Sequence, residues 1–409
     1  MKALIIGGGI GGPVTAAALR RAGIEAVVYE AHAGPGDDIG AFLTLAPNGL
    51  AALRTVGMLG AARDAAAFPT TRIEFVNGTG RRLGALPDGS DEGPAELRTV
   101  TVNRGALQRA LAETAQDQGI RIEYGKRFTG YTETATGVVA EFADGTTAEG
   151  DVLLGADGIH SLVRRTMDPD APGPSYTGLL GIGGYVRVEG IAPTPEATTR
   201  MVFGKRAFFG YQTAPSGEVF WFANLGHTEL TREEIAARGD EAWKEHALAL
   251  FADDLPDVTT VLKAAGPERF RPMGTYDLAS LPRWSRGRVA LLGDAAHAVS
   301  NSSGQGASLA AEDALVLAAC LRDLPTVEEA FAAYEQGRRD RVERVAAEGR
   351  RRGNQKAGSA HPAALFLRDL VLRAVFAMIA RFGSQAWMND YRVDFDRRVT
   401  APSAATASR

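Results

Sequence analysis

Apolar positions in the first sixty residues fall in short blocks. KALII runs straight into glycine, PVTAAALRRAG carries its apolar residues at helical spacing, and EAVVYE is again a short apolar run. The pattern predicts strand, glycine-rich turn, helix and strand, with a second helix in PNGLAALRTVG; Gly23 and Gly57 stand where helix C-caps belong. From 70 to 100 the period shifts towards two, and RIEFV and RRLGAL flank the favoured turn Asn77-Gly78 as arms of a hairpin. Asn103 as N-cap and Gly119 as terminator bracket a helix over 103–119. Next, VVAEFADGTTAEGDVLLGADG alternates around Asp144-Gly145 and returns as a buried strand, DVLLGA. Residues 180–225 are the densest in β-forming and aromatic side chains, turning at the PSG of 215–217, and predict a sheet with one apolar face. RVALLGDAAH (288–297) reads as another buried strand ending in a turn, and SLAAEDALVLAACLRDL (308–324) as a strong helix. The chain shows no internal repeat and no long linker, and only its final residues have a disordered composition.

Length and charge narrow the classes. The 409 residues allow two or three domains, and a net charge of -4 supplies no basic excess for nucleic acid. Cys320 is the single cysteine, so the chain holds neither a disulfide framework nor a thiolate metal cluster, as expected in a reducing cytoplasm. The first apolar run is too short for a signal-peptide core or a membrane span. AALFLRDLVLRAVFAMIARF (363–382) is strongly apolar, but Arg368, Asp369, Arg373 and Arg381 recur along it. An amphipathic helix packed on the body is the expectation, with a membrane-surface helix as the alternative.

Three stretches carry chemistry. Gly7-x-Gly9-x-x-Gly12 follows a strand and opens a helix, and Glu30 ends the next strand; this is the arrangement that brings backbone N–H groups to a pyrophosphate and a carboxylate to ribose hydroxyls. A carboxylate there repels a 2′-phosphate, so the nucleotide is of the FAD or NAD type. GADGIHSLVRR (155–165) places Asp157 after a buried strand, either as a plain helix-opening turn or as part of a site. In GDAAHAVSNSSGQG (293–306), Asp294 needs a polar partner if it stays charged, and a polyol such as a ribityl chain provides one. The helix after it points its N-terminus at Gly304-Gln305-Gly306, whose N–H groups can stabilise a negative flavin ring. His297 reads as a structural donor rather than a base.

Together, GGGIGG with Glu30, GADGIHSLVRR and LLGDAAHAVS with GQG resemble the single-component (group A) FAD-dependent aromatic monooxygenases of the para-hydroxybenzoate hydroxylase fold, over residues 1 to about 350. GAFLTLAPNGLAALRTVG and VNRGALQRAL add to the likeness. The resemblance implies an α/β architecture in which a Rossmann-type FAD-binding domain (1–69, 101–175, 285–350) is interleaved with a smaller substrate domain on an antiparallel β-sheet (70–100, 176–284). C-terminal helices (351–395) and a disordered tail (396–409) follow. It further implies that Gly7, Gly9 and Gly12 hold the FAD pyrophosphate, Glu30 the adenosine ribose and Asp294 the ribityl chain. Arg104 and Asp157 would lie near the pyrophosphate, and Gly304, Gln305 and Gly306 against the isoalloxazine. No metal is implied.

The implied reaction is a cytoplasmic one. NADPH or NADH, bound transiently, reduces FAD, O2 adds at flavin C4a, and the hydroperoxide hydroxylates or epoxidises a small molecule. Phe203, Phe209, Tyr211, Phe220 and Phe222 are candidates for the pocket wall, which favours a bulky aromatic or polycyclic substrate. One departure bears on the chemistry: Asn301 stands where relatives usually have proline near C4a, adding a polar amide and freeing the backbone. It supports a rival, a non-oxygenating flavoprotein with a non-redox or cyclase role. A flavin-free binding protein is a second rival, and the intact cofactor motifs argue against it.

Overall fold

Five parallel strands lie side by side in one sheet, and the central ones are near-continuously apolar because helices cover both faces. The computed structural model describes residues 1–35, 42–88, 93–214, 216–278, 280–354, 356, 361–382 and 386–400. Lys2–Ile6 lies between Val152–Gly155 and Glu25–Tyr29, all parallel, with Val289–Leu291 and Arg121–Glu123 beyond them. The two-residue strand Ser285–Arg286 closes the edge antiparallel. Ala3, Leu4 and Ile5 are fully buried at the centre. Helix Gly11–Arg21 packs on helix Gly306–Asp323, so the start and the late part of the chain share one core. Helix Pro47–Thr55 comes close to the same late helix because position 49 is glycine; a Cβ there would lie 2.4 Å from Ser308 Oγ.

The hairpin at Asn77-Gly78 joins a second sheet, remote in sequence from most of its strands. Seven strands run in the order Met273–Asp277, Ser175–Arg187, Glu218–Gly226, Phe208–Thr213, Thr198–Phe203, Arg72–Asn77 and Arg82–Pro87. Alternation sends Phe209, Tyr211, Trp221 and Leu225 to one face, where they pack with Ile235, Trp243 and Val261, one from each of three helices within residues 232–264, and with Phe251. Phe203, Phe208, Phe220 and Phe222 occupy the other face.

Helix Pro362–Phe382 covers part of that second face through Leu372 and Phe376, and Phe376 stacks on Phe75 at 4.1 Å. Asp369 is its buried polar anchor, accepting from Asn77 Nδ2 at 2.7 Å. The helix therefore packs on the body, as its amphipathic pattern suggests. Among the described residues, no helix is long and apolar enough to cross a membrane. The tail needs correction. Residues 396–400 are docked rather than disordered: Asp396 pairs with Arg21 at 3.0 Å and the Val399 N–H donates to Asp323 at 2.8 Å. Residues 401–409 lie outside the described residues.

Candidate active site

Where Lys2–Ile6 ends, Gly7 takes φ +111°, and its N–H donates to Tyr29 O at 2.9 Å. The turn is too tight for side chains: a Cβ at position 7 would lie 2.5 Å from Ala156 O, and one at position 12 only 2.0 Å from Gly7 O. A Cβ on Gly9, by contrast, would meet no protein atom within 4 Å. The loop thus packs tightly inward and leaves a bare backbone facing open space. Glu30 is buried beside it, accepting the N–H of Gly8 at 2.6 Å and of His32 at 2.9 Å, one on each oxygen. Each oxygen keeps a lone-pair direction for a further donor.

Ala156 and Asp157 cross directly over this turn. One carboxylate oxygen of Asp157 accepts from Leu162 N at 2.8 Å and Val163 N at 3.1 Å, capping helix Leu162–Met167. Its other oxygen is buried with no hydrogen-bond partner among the described residues. Burial raises the Asp157 pKa, opposed by these hydrogen bonds. Arg164, itself buried, donates to Ile159 O at 2.7 Å and to Ala295 O at 2.8 Å, tying this stretch to the one that holds Asp294.

Asp294 opens the short helix Asp294–His297 with its side chain towards the cleft. Desolvation by the surrounding protein raises its pKa, the charges of His297 and Arg104 lower it, and Asp313 adds to the rise. Arg104, the exposed first residue of helix Arg104–Asp117, makes no ion pair among the described residues. It is a free cation close enough for its field to reach Asp294. Gly306 lies on the other side: a Cβ there would stand 3.6 Å from the Asp294 carboxylate. The N-terminus of the eighteen-residue helix Gly306–Asp323 opens at this point, with positive potential at its free N–H groups. The Gln305 side chain does not share the cleft; it is buried between Asn48 Nδ2 and Asn389 Oδ1, each at 2.8 Å, so only its backbone can face a ligand. His297 is a structural donor, its Nε2 2.5 Å from the fully buried Asp313.

The cleft continues onto the aromatic face of the large sheet. Gly304, at φ +65°, faces Thr44, and two residues earlier on the same strand Phe42 meets the rings of Phe220 and Phe222 at 5.6 and 5.8 Å. The Phe222 ring lies flat over Gly210, where a Cβ would approach it to 2.3 Å. Phe220 and Phe222 line this face beside Phe42, whereas Phe203 shares the phase but packs with Phe75 and Phe376 beneath helix Pro362–Phe382. Phe209 and Tyr211 do not lie on this face: their strand phase buries them against the helices behind the sheet, so they are removed from the candidate wall. Asn301 begins a one-turn helix, Asn301–Ser303, with its side chain exposed and without a hydrogen-bond partner among the described residues. The turn rests on Gly349 and Gly353 of helix Val327–Asn354.

Sequence reasoning missed Phe42, Phe208, Gln212, Asn224 and Lys356 on this face. Strand alternation carries a signal for Phe208, Gln212 and Asn224, which share the phase of Phe220 and Phe222 across the ladder. Gln212 is buried and accepts from Thr70 at 3.0 Å and Thr199 at 2.7 Å. Lys356 donates to Asn224 Oδ1 at 3.0 Å. Among the described residues, no group of three or more His, Cys, Asp and Glu side chains is placed to hold a metal ion.

Comparisons with known proteins agree with this geometry. The family model described as FAD binding domain matches residues 1–348. The FAD-dependent urate hydroxylase of Klebsiella pneumoniae is 32% identical over 86% of this chain and 89% of its own length. The 6-hydroxynicotinate 3-monooxygenase of Pseudomonas fluorescens is 30% identical over 83% and 88%. The crystal structure of Klebsiella pneumoniae HpxO complexed with FAD and uric acid superposes with a TM-score of 0.81 at 28% identity, covering 95% of this chain and 97% of that one. A glycine loop with its carboxylate, a second and a third cofactor-type stretch closing over it, and these likenesses over nearly the whole chain lead to one conclusion: the protein belongs to the group A FAD-dependent aromatic monooxygenases, with the para-hydroxybenzoate hydroxylase fold.

Proposed function

We propose that the chain uses NADPH or NADH and O2 to hydroxylate an aromatic or heteroaromatic small molecule held between the FAD cleft and the aromatic face of the large sheet. The observation that carries this reading is the junction at Gly304 and Thr44, where the cleft lined by Asp294 and Gly306 runs on to Phe42, Phe220 and Phe222. The residues fit FAD on two counts. The Gly9 backbone faces space that no protein atom fills, and Asp157, whose Cα lies 3.0 Å from where a Gly7 Cβ would stand, keeps one buried oxygen without a partner among the described residues. In this reading Gly7, Gly9 and Gly12 cradle the pyrophosphate, with Arg104 and Asp157 nearby. Glu30 takes the adenosine ribose and Asp294 the ribityl hydroxyls, while the N–H groups of residues 304–306 face the isoalloxazine.

When bound, FAD would supply the redox chemistry, the acceptance of a hydride from NADPH or NADH and the activation of O2 for transfer of one oxygen atom, the other leaving as water. The protein's share is to bind, orient and exclude water. The phenylalanines desolvate the reacting ring, the helix N-terminus stabilises negative charge on the flavin, and Asn301 presents a polar amide at the cleft.

Anaerobic mixing of the FAD-loaded protein with NADPH and then NADH, with and without uric acid or 6-hydroxynicotinate, tests the reading through the flavin's visible absorption. Bleaching, accelerated by an aromatic compound and reversed by air, is the expected result. Flavin that neither nucleotide bleaches would replace oxygenation by a non-redox role, and protein that takes up no FAD would leave only a binding role. Asp294→Ala is expected to weaken flavin retention by about tenfold to a hundredfold, the loss of one or two hydrogen bonds to a charged acceptor. Equilibrium dialysis against FAD checks it.

A further inference from the structure

Lys356 is a cation in a place that otherwise collects phenylalanine. Its ammonium lies 4.6 Å from the centre of the Phe208 ring and 5.6 Å from that of Phe222, and it donates a hydrogen bond to Asn224. The aromatic faces attract the charge but do not neutralise it. Among the described residues, no carboxylate pairs with it. The strands behind it contribute Phe208, Phe222 and Asn224 to its contacts among the described residues, all uncharged. From its own side, the neighbouring helix Val327–Asn354 brings Arg352, whose guanidinium is already engaged by Glu348 at 2.8 Å. Asp88, also near Arg352, is pushed up to about 6 by burial, against the pull of that arginine. Burial brings Lys356 itself down to about 7, and Arg352 contributes to the same shift. A half-buried ammonium without an acid partner among the described residues is costly unless something else brings the negative charge.

The position supplies the rest. Phe222, on which Lys356 lies, is in ring contact with Phe42, on the strand that reaches Thr44 and the cofactor-side Gly304. Gly353, three residues before Lys356, touches the Ser300–Ser302 segment next to Asn301. Through Phe222 and Phe42, Lys356 is thus linked by two ring contacts to the strand that meets the cofactor-side Gly304.

We propose that Lys356, steadied by Asn224 between Phe208 and Phe222, is the specificity-determining residue of the substrate site, and that its ammonium receives the anionic oxygen of an acidic aromatic or heteroaromatic substrate. This rests on the aromatic-monooxygenase reading above and deepens it by naming the substrate's ionisation state. An anion placed this way is electron-rich at ring carbons ortho and para to its oxygen, which is the form an electrophilic oxygen donor attacks. When the lysine is neutral, it takes the proton of the acidic O–H or N–H, and the same ammonium and oxyanion pair results.

The test titrates the FAD-loaded protein with uric acid, 6-hydroxynicotinate and 4-nitrophenol, and with the non-ionising 4-nitroanisole and nitrobenzene, following the flavin spectrum across neutral pH. The wild type is expected to bind the acids at least about tenfold more tightly than the neutral compounds, and to bind 4-nitrophenol as its yellow phenolate at a pH where the free compound is largely protonated. Lys356→Met is expected to abolish the preference and its pH dependence while still binding the neutral compounds, and Lys356→Arg to keep most of it. Lys356→Met binding the acids as tightly as the wild type would overturn the inference. So would wild-type protein that takes up 4-nitrophenol in its neutral form, a result that needs no variant to fold. If no aromatic compound of either kind perturbs the wild-type flavin, the aromatic-substrate reading falls, and this inference falls with it.

Discussion

Replacing Arg338 with methionine is expected to lower the free energy of unfolding by about 3–5 kcal/mol, the cost of leaving buried charges uncompensated. Arg338 reaches from helix Val327–Asn354 into the core with no exposure at all. Its Nε lies 2.7 Å from Asp313 and its Nη1 2.6 Å from Glu312, and Arg341 adds a second contact to Glu312 at 2.7 Å. Asp313 also accepts the Gly293 N–H at 2.9 Å and faces His297. Burial alone would raise the Asp313 pKa, but His297 and Arg338 outweigh it and hold the carboxyl well below its usual range.

The sign of the pH dependence follows. The folded pKa is depressed, so the stabilisation is complete above the unfolded value of about 4 and is lost as pH falls through and below it. Urea unfolding across acidic pH checks both statements. The wild type should lose stability as the medium becomes acidic, and Arg338→Met should start lower and fall less steeply. An unchanged unfolding midpoint would show that the ion pairs contribute nothing net. The same network positions the turn at Gly293, so the variant is also expected to hold flavin less tightly even where it folds.

Much of the cofactor side was legible in the sequence because its constraints are local. A strand that breaks into Gly7, Gly9 and Gly12 needs its glycines within a few residues, and the clash that excludes a Cβ at position 12 is with Gly7 O in the same loop. Strands such as DVLLGA and RVALLG announce themselves because, covered on both faces, they are apolar throughout. The substrate side was legible only in outline. Alternation shows that Phe209 and Tyr211 share a face, but which face meets the cleft is decided by helices packed behind the sheet, up to about fifty residues away. Gln305 looks like a cleft residue until Asn48 and Asn389, both distant in sequence, draw its amide into the core. Lys356 follows a helix in a stretch without periodicity, and its partner Asn224 is 132 residues away. The boundary of the tail was set too early: Asp396 and Val399, held by Arg21 and Asp323, precede the alanine- and serine-rich residues 401–409, which lie outside the described residues.

Two glycines of one loop should separate the needs of the fold from the needs of the cofactor. Gly12→Ala puts a methyl 2.0 Å from Gly7 O, backbone against backbone, so the turn must open. A loss of about 1–3 kcal/mol in the FAD-free protein is expected, typical of overpacking where nothing can rotate away. FAD affinity should fall by about a hundredfold or more, because the amides of the turn no longer converge. Gly9→Ala has no such conflict, since no protein atom lies within 4 Å of the new methyl. The FAD-free variant should unfold within about 0.5 kcal/mol of the wild type, as a surface change does. Its FAD affinity should still drop by about tenfold or more, because a pyrophosphate that approaches the bare backbone at Gly9 meets the methyl directly. Urea melts of the FAD-free proteins together with dialysis against FAD measure both quantities. Wild-type FAD affinity in Gly9→Ala would mean that the open space beside Gly9 is not where the pyrophosphate sits.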